Sequence, residues 1–452
     1  MSNTLRLTDE EQAMLGGEAG PGVQKAMEIV AALGQIYGAA DLVPVASVQV
    51  AGVSYKNLGD AGLEFLQAWA REDPQGTRAR VPATLNPAGM DLRTWRELGF
   101  PAGFARQQEA IIAAYTALGI TPTCTCTPYQ VGHVPRFGQH LAWAESSAVS
   151  YANSVLGART NREGGPSALA AAITGRTARY GLHLDENRRA TLIVDVHCPM
   201  TSEADLGALG YLTGRQVGNG VPYFRFHSLR PADCHLKALG AAMAASGAVA
   251  LYHVEGMTPE AKDLDPIRAA SCSAALCNPV VKRSGQSPST PLHCGITSSP
   301  RDSISHGTPT VVVDDLTPGY AALNGTCEQI DLVSLGCPHA SLEELQAIAD
   351  YLDGRRVKAA LWITTAYLTR EVGLARGLVE RIQAAGARVV ADTCMVVAPV
   401  AALGFRTMAT NSAKMAFYTP SHSGLSVRFG PMEQCLEAAV TGKWTVKRQA
   451  SI

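Results

Sequence analysis

The feature that most constrains this chain is the way strand-like and helical runs take turns from Leu192 onward. Short runs rich in β-branched and apolar residues occur at Leu192 to Val196, Ala248 to Val254, Asp331 to Leu335, Ala359 to Thr365 and Val389 to Ala391, and the stretches between them have helical spacing. Such alternation predicts an α/β fold of several layered domains with mainly parallel sheets, because parallel neighbours need a long crossover that a helix supplies. The clearest unit is a βαβαβ run: strand Asp331 to Leu335, helix Ser341 to Leu352 capped by Ser341, strand Ala359 to Thr365, helix Thr369 to Ala385, and a strand after Arg388. Ligands of such sheets gather at the carboxyl ends of the strands. Cys337 and Cys394 each follow one of those ends.

The N-terminal half is less regular. Thr8 with Glu11 forms a capping-box pattern, and Val23 to Leu33 continues at helical spacing after a glycine break. Val43 to Val50 reads as a strand, Gly52 to Gly62 as a glycine-punctuated loop, and a second strand leads to Thr84-Leu85-Asn86-Pro87. Ala105 to Leu118 has a helical pattern, and Thr121 to Tyr129 reads as strand edge or loop. The 452 residues, 46% hydrophobic, are enough for several cores, and they divide into an N-terminal α/β region 1–260, an irregular segment 261–318 and a C-terminal βαβαβ region 319–452. Residues 271–310 hold nine serines, five prolines and three cysteines against four charges, the composition of an irregular excursion, an insertion or a stretch read out of frame.

Charge excludes some partners. A net charge of -1 provides no global field for nucleic acid or an anionic membrane. The longest uncharged run, between Lys237 and Glu255, is broken by Gly240 and Gly247, which predicts a buried helix followed by a strand and not a membrane span. Asp9, Glu10 and Glu11 stand where a secretory signal would have an apolar core, so a cytoplasmic location is expected. In that reducing compartment the eleven cysteines are expected as free thiols or metal ligands.

Cys126, Cys337 and Cys394 differ from the other cysteines in lying at predicted strand-to-loop junctions. Close CxxC pairs are missing, which argues against a zinc ribbon or a ferredoxin-type cluster. Three separated thiolates suit a cluster with one open metal position; ordinary buried thiols and a mixed Cys/His metal site are the competing readings. An open metal can polarise a hydroxyl as a Lewis acid, as the dehydration of a hydroxy acid requires. A dense polar run, Glu145-Ser146-Ser147 with Asn153, Arg159, Asn161, Arg162 and Glu163, points to ligand binding or to a solvated helix end, and Glu145 could serve as acid or base. Lys414, after Asn411 and Ser412, could hold a phosphate or carboxylate, and the loop Gly52 to Lys56 could cradle an anion with its backbone N–H groups. A thiol enzyme using Cys337 with His339 is a further reading.

Several long motifs resemble one family: Ala51-Gly52-Val53-Ser54-Tyr55-Lys56-Asn57-Leu58-Gly59-Asp60, Thr84-Leu85-Asn86-Pro87-Ala88-Gly89, Ala142-Trp143-Ala144-Glu145-Ser146-Ser147, Arg159-Thr160-Asn161-Arg162-Glu163-Gly164-Gly165-Pro166-Ser167, Gly336-Cys337-Pro338-His339-Ala340-Ser341 and Thr410-Asn411-Ser412. Together they resemble aconitase X, and more closely its large subunit. The resemblance implies an aconitase-like body with an iron-sulfur cluster, [4Fe-4S] with one open iron, held by Cys126, Cys337 and Cys394. It implies substrate contacts at Gly52, Val53, Ser54, Asn86, Pro87, Glu145, Ser146 and Lys414, with Glu145, Ser146 and Lys414 in catalytic roles and the base either Glu145 or a serine of the small subunit. It further implies a separate small swivel-domain subunit that makes a heterodimer and closes the site. Two branches of the family dehydrate mevalonate 5-phosphate and cis-3-hydroxy-L-proline; the motifs and the missing fused domain favour the first, and a non-catalytic metal-binding relative is a further alternative. Residues 261–318 depart from the family pattern, and Cys124 is a rival ligand beside Cys126.

Overall fold

Four sheets carry the strands of the computed structural model, which describes residues 5–74, 76–261, 296–297 and 308–445. The N-terminal part contributes β1 (Leu42–Pro44), β2 (Val48–Val50), β3 (Ala83–Leu85), β4 (Ala142–Trp143) and β5 (Arg176–Ala178). Strands β3-β2-β4 form a small parallel sheet, and β1 pairs antiparallel with β5. The middle part contributes β6 (Leu192–Val196), β7 (Pro222–Phe226), β8 (His253–Val254), β9 (Ile296–Thr297) and β10 (Thr310–Val313), in the order β8-β7-β6-β10-β9 and parallel apart from β9. The C-terminal part is a wholly parallel sheet of β11 (Leu332–Ala340), β12 (Ala360–Thr365), β13 (Arg388–Ala391), β14 (Thr407–Thr410) and β15 (Ser426–Phe429), ordered β13-β12-β11-β14-β15. The expected α/β architecture with mainly parallel sheets is therefore the one observed.

The C-terminal sheet is covered on both faces, as a parallel sheet requires. Val333, Leu335 and Ile363 pack under the helices Leu342–Leu352 and Leu378–Ala384, while Leu332, Trp362 and Met408 join a core that also holds Val194 and Phe224 of the middle sheet. From β11 the chain builds outward through β12 to β13 and then returns to place β14 on the other side of β11. The boundary between β11 and β14 is thus a topological switch point, where crevices open outside the carboxyl ends. Along β11 the pairing with β12 runs from Leu332 to Leu335, then resumes only at Ala340, so residues 336–339 bulge from the ladder. Gly336 permits this: its φ is 86°, and a Cβ there would lie 2.0 Å from the Thr364 carbonyl oxygen.

Local structure differs from the sequence-based expectation in four places. Val43 to Val50 is two strands in two different sheets, with Pro44 lacking the N–H that would extend the first ladder. Most of the expected loop Gly52 to Gly62 is helical, Tyr55–Glu72, bent at Gly59 (φ 65°) and anchored by buried Leu63, Leu66 and Trp69. Of Ala248 to Val254 only β8 is strand, because Ala248 takes a left-handed φ of 61° to close the helix Asp233–Gly247. Thr369 to Ala385 is two helices parted at Gly377 (φ 70°). The composition anomaly at 271–310 lies mostly outside the described residues, although β10 at its end joins the middle sheet. No described helix is long and apolar enough to cross a membrane.

Candidate active site

Glu145 caps the helix Ser146–Ser154 directly after β4, and Lys414 sits in the first turn of the helix Ala413–Ser423 directly after β14. The two meet in an enclosed ion pair, with side chains 12% and 10% exposed. Lys414 Nζ also donates to Ser146 Oγ at 3.2 Å and to Ser147 Oγ at 3.5 Å. Asn86, at the end of β3, donates from Nδ2 to Glu145 Oε2 at 2.8 Å, while its own Oδ1 is buried without a partner. Burial alone would push the Glu145 carboxyl up, but the Lys414 ammonium, the Asn86 amide and the Arg162 guanidinium outweigh it and hold the carboxyl down at about 2. Burial works against the Lys414 charge as well, and Glu145 with the neighbouring thiols reverses the effect, so Lys414 is raised and stays charged.

Beside this pair lie three cysteines from three segments, none in a disulfide. Cys337 projects from the β11 bulge, Cys394 follows β13, and Cys126 lies on a segment laid along the end of β3 by the Thr125 N–H bond to the Leu85 carbonyl. Burial pushes the Cys126 thiol up to about 12. Cys337, which accepts from Cys394 and lies near Lys414 and Ser412, is held below the ordinary thiol range, and Cys394 is pushed above it. Among the described residues, the group of three donors all within 4.8 Å of one another is instead Asp195, His197 and His227. Thiolates round a single tetrahedral ion would stand ~3.8 Å apart. The wider spread of Cys126, Cys337 and Cys394 fits a polynuclear cluster, whose thiolates sit on different metal atoms, better than one ion.

A cleft of ≈ 1030 Å³ leads in beside Lys237, Glu344, Tyr151 and Leu368. It shares Glu203, Lys237 and Glu344 with a small inner pocket walled by Cys337, Asn411 and Ser412. Ser54 and Val53 are buried at 1% exposure: the Ser54 hydroxyl donates to the Val397 carbonyl at 2.8 Å, and Val53 belongs to the N-terminal core. Gly52 has a φ of 80° in the turn before them, and Pro87 is buried. Lys56 Nζ donates to the Ala398 and His422 carbonyls, 3.2 Å each, so this loop ties itself to the segment after Cys394. Two hydroxyl residues of the site, Thr125 and Thr393, carried no signal in the sequence beyond adjacency to a cysteine; Ser147 and Arg162 stood inside a polar run without a role of their own, and Ser412 was expected only to orient Lys414.

Profiles described as the Aconitase X first, second and third domains match residues 4–186, 190–276 and 330–441. The chain belongs to the aconitase X family. Among its aconitase X relatives, the phosphomevalonate dehydratase large subunit of Methanothermobacter thermautotrophicus is 50% identical over 92% of this chain and 94% of its own length. That of Methanocaldococcus jannaschii is 45% identical over 96% of this chain and 100% of its own. The cis-3-hydroxy-L-proline dehydratase of Pseudomonas aeruginosa is more distant, 36% identical over 97% of this chain and 70% of its own. A crystal structure of Thermococcus kodakaraensis aconitase X in its holo-form superposes with a TM-score of 0.80 at 42% identity, covering 96% of this chain and 100% of that one.

Proposed function

We propose that this chain is the large, catalytic subunit of an iron-sulfur hydro-lyase that dehydrates mevalonate 5-phosphate to trans-anhydromevalonate 5-phosphate in isoprenoid biosynthesis. The observation that carries the reading is the Lys414–Glu145 pair, braced by Asn86 and Ser146, set against three free cysteines at a topological switch point. The relatives of 43 to 50% identity named as phosphomevalonate dehydratase large subunits support the substrate.

Cys126, Cys337 and Cys394 would hold the cluster, whose open iron supplies a Lewis acid to the departing hydroxyl. This chain's own residues handle the proton and the charge. Dehydration breaks the C–O bond and a neighbouring C–H bond: the C–H proton goes to the base and its electron pair becomes the new double bond. The hydroxyl leaves with the C–O pair and becomes water on taking up a proton, so that the base's proton and the hydroxyl together make the one water released. Glu145 is the base in this reading. While Lys414 is engaged with it, Glu145 is a weak base, because the ammonium holds its proton affinity down. An anionic group of the substrate that draws Lys414 toward itself leaves Glu145 buried with less compensation, which raises its proton affinity at the moment a proton must be taken. Asn86 fixes the carboxylate during that exchange, and Ser146 offers its hydroxyl beside both.

The cleft mouth exposes Leu368 and Val372, apolar surface suited to a small swivel-domain subunit that closes over the site as a heterodimer. Buried free thiols suit the reducing cytoplasm. The test is anaerobic turnover of this chain co-expressed with a small subunit, offered mevalonate 5-phosphate and cis-3-hydroxy-L-proline in parallel. Turnover of the phosphate that is lost in Cys337→Ala supports the reading; turnover of the imino acid alone sinks the substrate assignment.

A further inference from the structure

We propose that His339 is a positioning residue that holds the three cysteine segments in register, an inference that rests on reading Cys126, Cys337 and Cys394 as cluster ligands. His339 is fully buried, two residues beyond Cys337, and reaches the flanks of both other cysteines. Its peptide N–H donates to Cys126 Sγ at 3.2 Å. Its ring Nε2 lies 2.8 Å from the carbonyl oxygen of Thr393, the residue before Cys394. A carbonyl only accepts, so Nε2 carries the hydrogen. Nδ1 of the neutral ring is then an acceptor, and it takes the hydroxyl hydrogen of Thr125, the residue before Cys126, at 2.9 Å.

The contacts extend beyond the ring. Thr125 Oγ1 accepts from the Thr127 N–H at 3.1 Å, folding the chain round Cys126, and Thr393 Oγ1 donates to the Ala88 carbonyl at 2.9 Å. The His339 carbonyl accepts from Lys237 Nζ at 3.2 Å, and Lys237 pairs with Glu344, the residue that closes the capping box of the next helix. Backbone and ring are thus both committed. With both nitrogens engaged, the ring is not available as a base for Cys337, so the Cys337–His339 thiol-enzyme reading loses its proton acceptor. What His339 provides is geometry: one side chain spans from the Cys126 segment to the Cys394 segment while its own backbone carries the bulge that presents Cys337.

Outer-sphere partners of metal ligands change metal retention by 10 to 100-fold when removed. The test uses the anaerobically purified complex of the full chain with its small subunit, measuring iron and sulfide per chain, the electron paramagnetic resonance spectrum, and the rate of iron loss to a chelator. His339→Ala is expected to release iron about tenfold faster than wild type with an altered spectrum. His339→Gln places an amide near the Nε2 position, keeps the Thr393 bond and should fall between the two. Thr125→Val removes the hydroxyl that meets both Nδ1 and the Thr127 N–H; it should lower the iron-free melting temperature by a few degrees and speed iron loss. Thr125→Ser, which restores the hydroxyl, should return the iron-release rate to wild type, a rescue that a merely structural role of the side-chain methyl would not give. Should His339→Ala fail to fold, His339→Gln and Thr125→Val decide. Wild-type spectra and release rates in the variants would overturn the His339 assignment alone; a wild-type complex without iron or sulfide would overturn the cluster reading and this inference with it.

Discussion

Lys414 and Glu145 join the two ends of this molecule: a helix that follows the last-but-one strand of the C-terminal sheet places its first-turn ammonium on a carboxylate that caps a helix of the N-terminal region. The pair lies in the crevice at the switch point, with Asn86 completing the carboxylate's shell. Burying both charges is costly, and each is tolerated because the other is present. The arrangement stores a base that is held inactive until an anion competes for its partner.

Lys414→Met removes that partner without removing bulk. Glu145 then stays buried without its cation, which costs about 3–5 kcal/mol of stability, and turnover should fall by about 100-fold or more. The pH dependence has a definite sign. With its folded value about 2 against an ordinary 4.5, Glu145 adds stability that is present above about 4.5 and is lost as pH falls toward 2. Urea midpoints at pH 7, 5 and 3 should therefore converge between wild type and Lys414→Met as pH falls. A constant gap across that range would mean the pair is not what holds Glu145 ionised.

How far the site could be read in advance depended on whether the signal was local. Thr8 with Glu11 forms the capping box its spacing promised, Ser341 caps its helix as expected, and Cys394 stands beyond the end of β13, whereas Cys337, expected after a strand that stops at Leu335, lies inside β11, where the ladder bulges and resumes at Ala340. The helix Tyr55–Glu72 was hidden because Gly59 and its neighbouring glycines read as punctuation, whereas the buried Leu63, Leu66 and Trp69 set its conformation. Pairings across long separations left no trace in composition: Lys414 looked like an anion holder, and only the fold shows its charge engaged by Glu145. The bonds of His339 to Thr125 and Thr393 likewise depend on tertiary placement of residues that are individually ordinary.

Gly336→Ala should damage the site through the backbone alone. The added methyl group would meet the Thr364 carbonyl at 2.0 Å in a left-handed conformation with φ of 86°, so the β11 bulge must shift. Strain and overpacking together predict a loss of about 2–5 kcal/mol. The check is a thermal melt together with iron content: Cys337 remains, yet occupancy should drop. A variant with wild-type melting and iron content would show that the bulge is more compliant than its contacts suggest.

Iron stoichiometry will need one control. Asp195, His197 and His227 at the carboxyl ends of β6 and β7 bring two imidazoles to one carboxylate, with His227 Nε2 2.6 Å from Asp195 Oδ1 and His197 Nε2 3.6 Å from Oδ2. Two imidazoles and a carboxylate suit a borderline divalent ion such as Zn²⁺ or Ni²⁺. Chain exposed to either ion and then desalted should carry about one equivalent more than His227→Ala treated alike, with the cluster absorption equal in both. Equal metal content would identify the three side chains as a surface ion-pair group only.

Asn86→Asp tests the Glu145 environment from the other side. The amide donates to Glu145 at 2.8 Å, and its replacement puts a second carboxyl at that distance in an enclosed site. Two carboxylates so close cannot both ionise, so the pair must share a proton, and the value at which Glu145 becomes free rises out of the acid range. The kcat/KM profile of Asn86→Asp should accordingly lose its plateau on the acid side and rise with pH into the neutral range, with a maximum at least about tenfold below wild type. Asn86→Ser, which weakens the donor without adding a charge, should lower the rate and move the profile upward far less than Asn86→Asp does. If both variants shifted the profile equally, the orientation of Glu145 would matter and the charge beside it would not. If neither lowered the rate, Asn86 would lie outside the reaction's path.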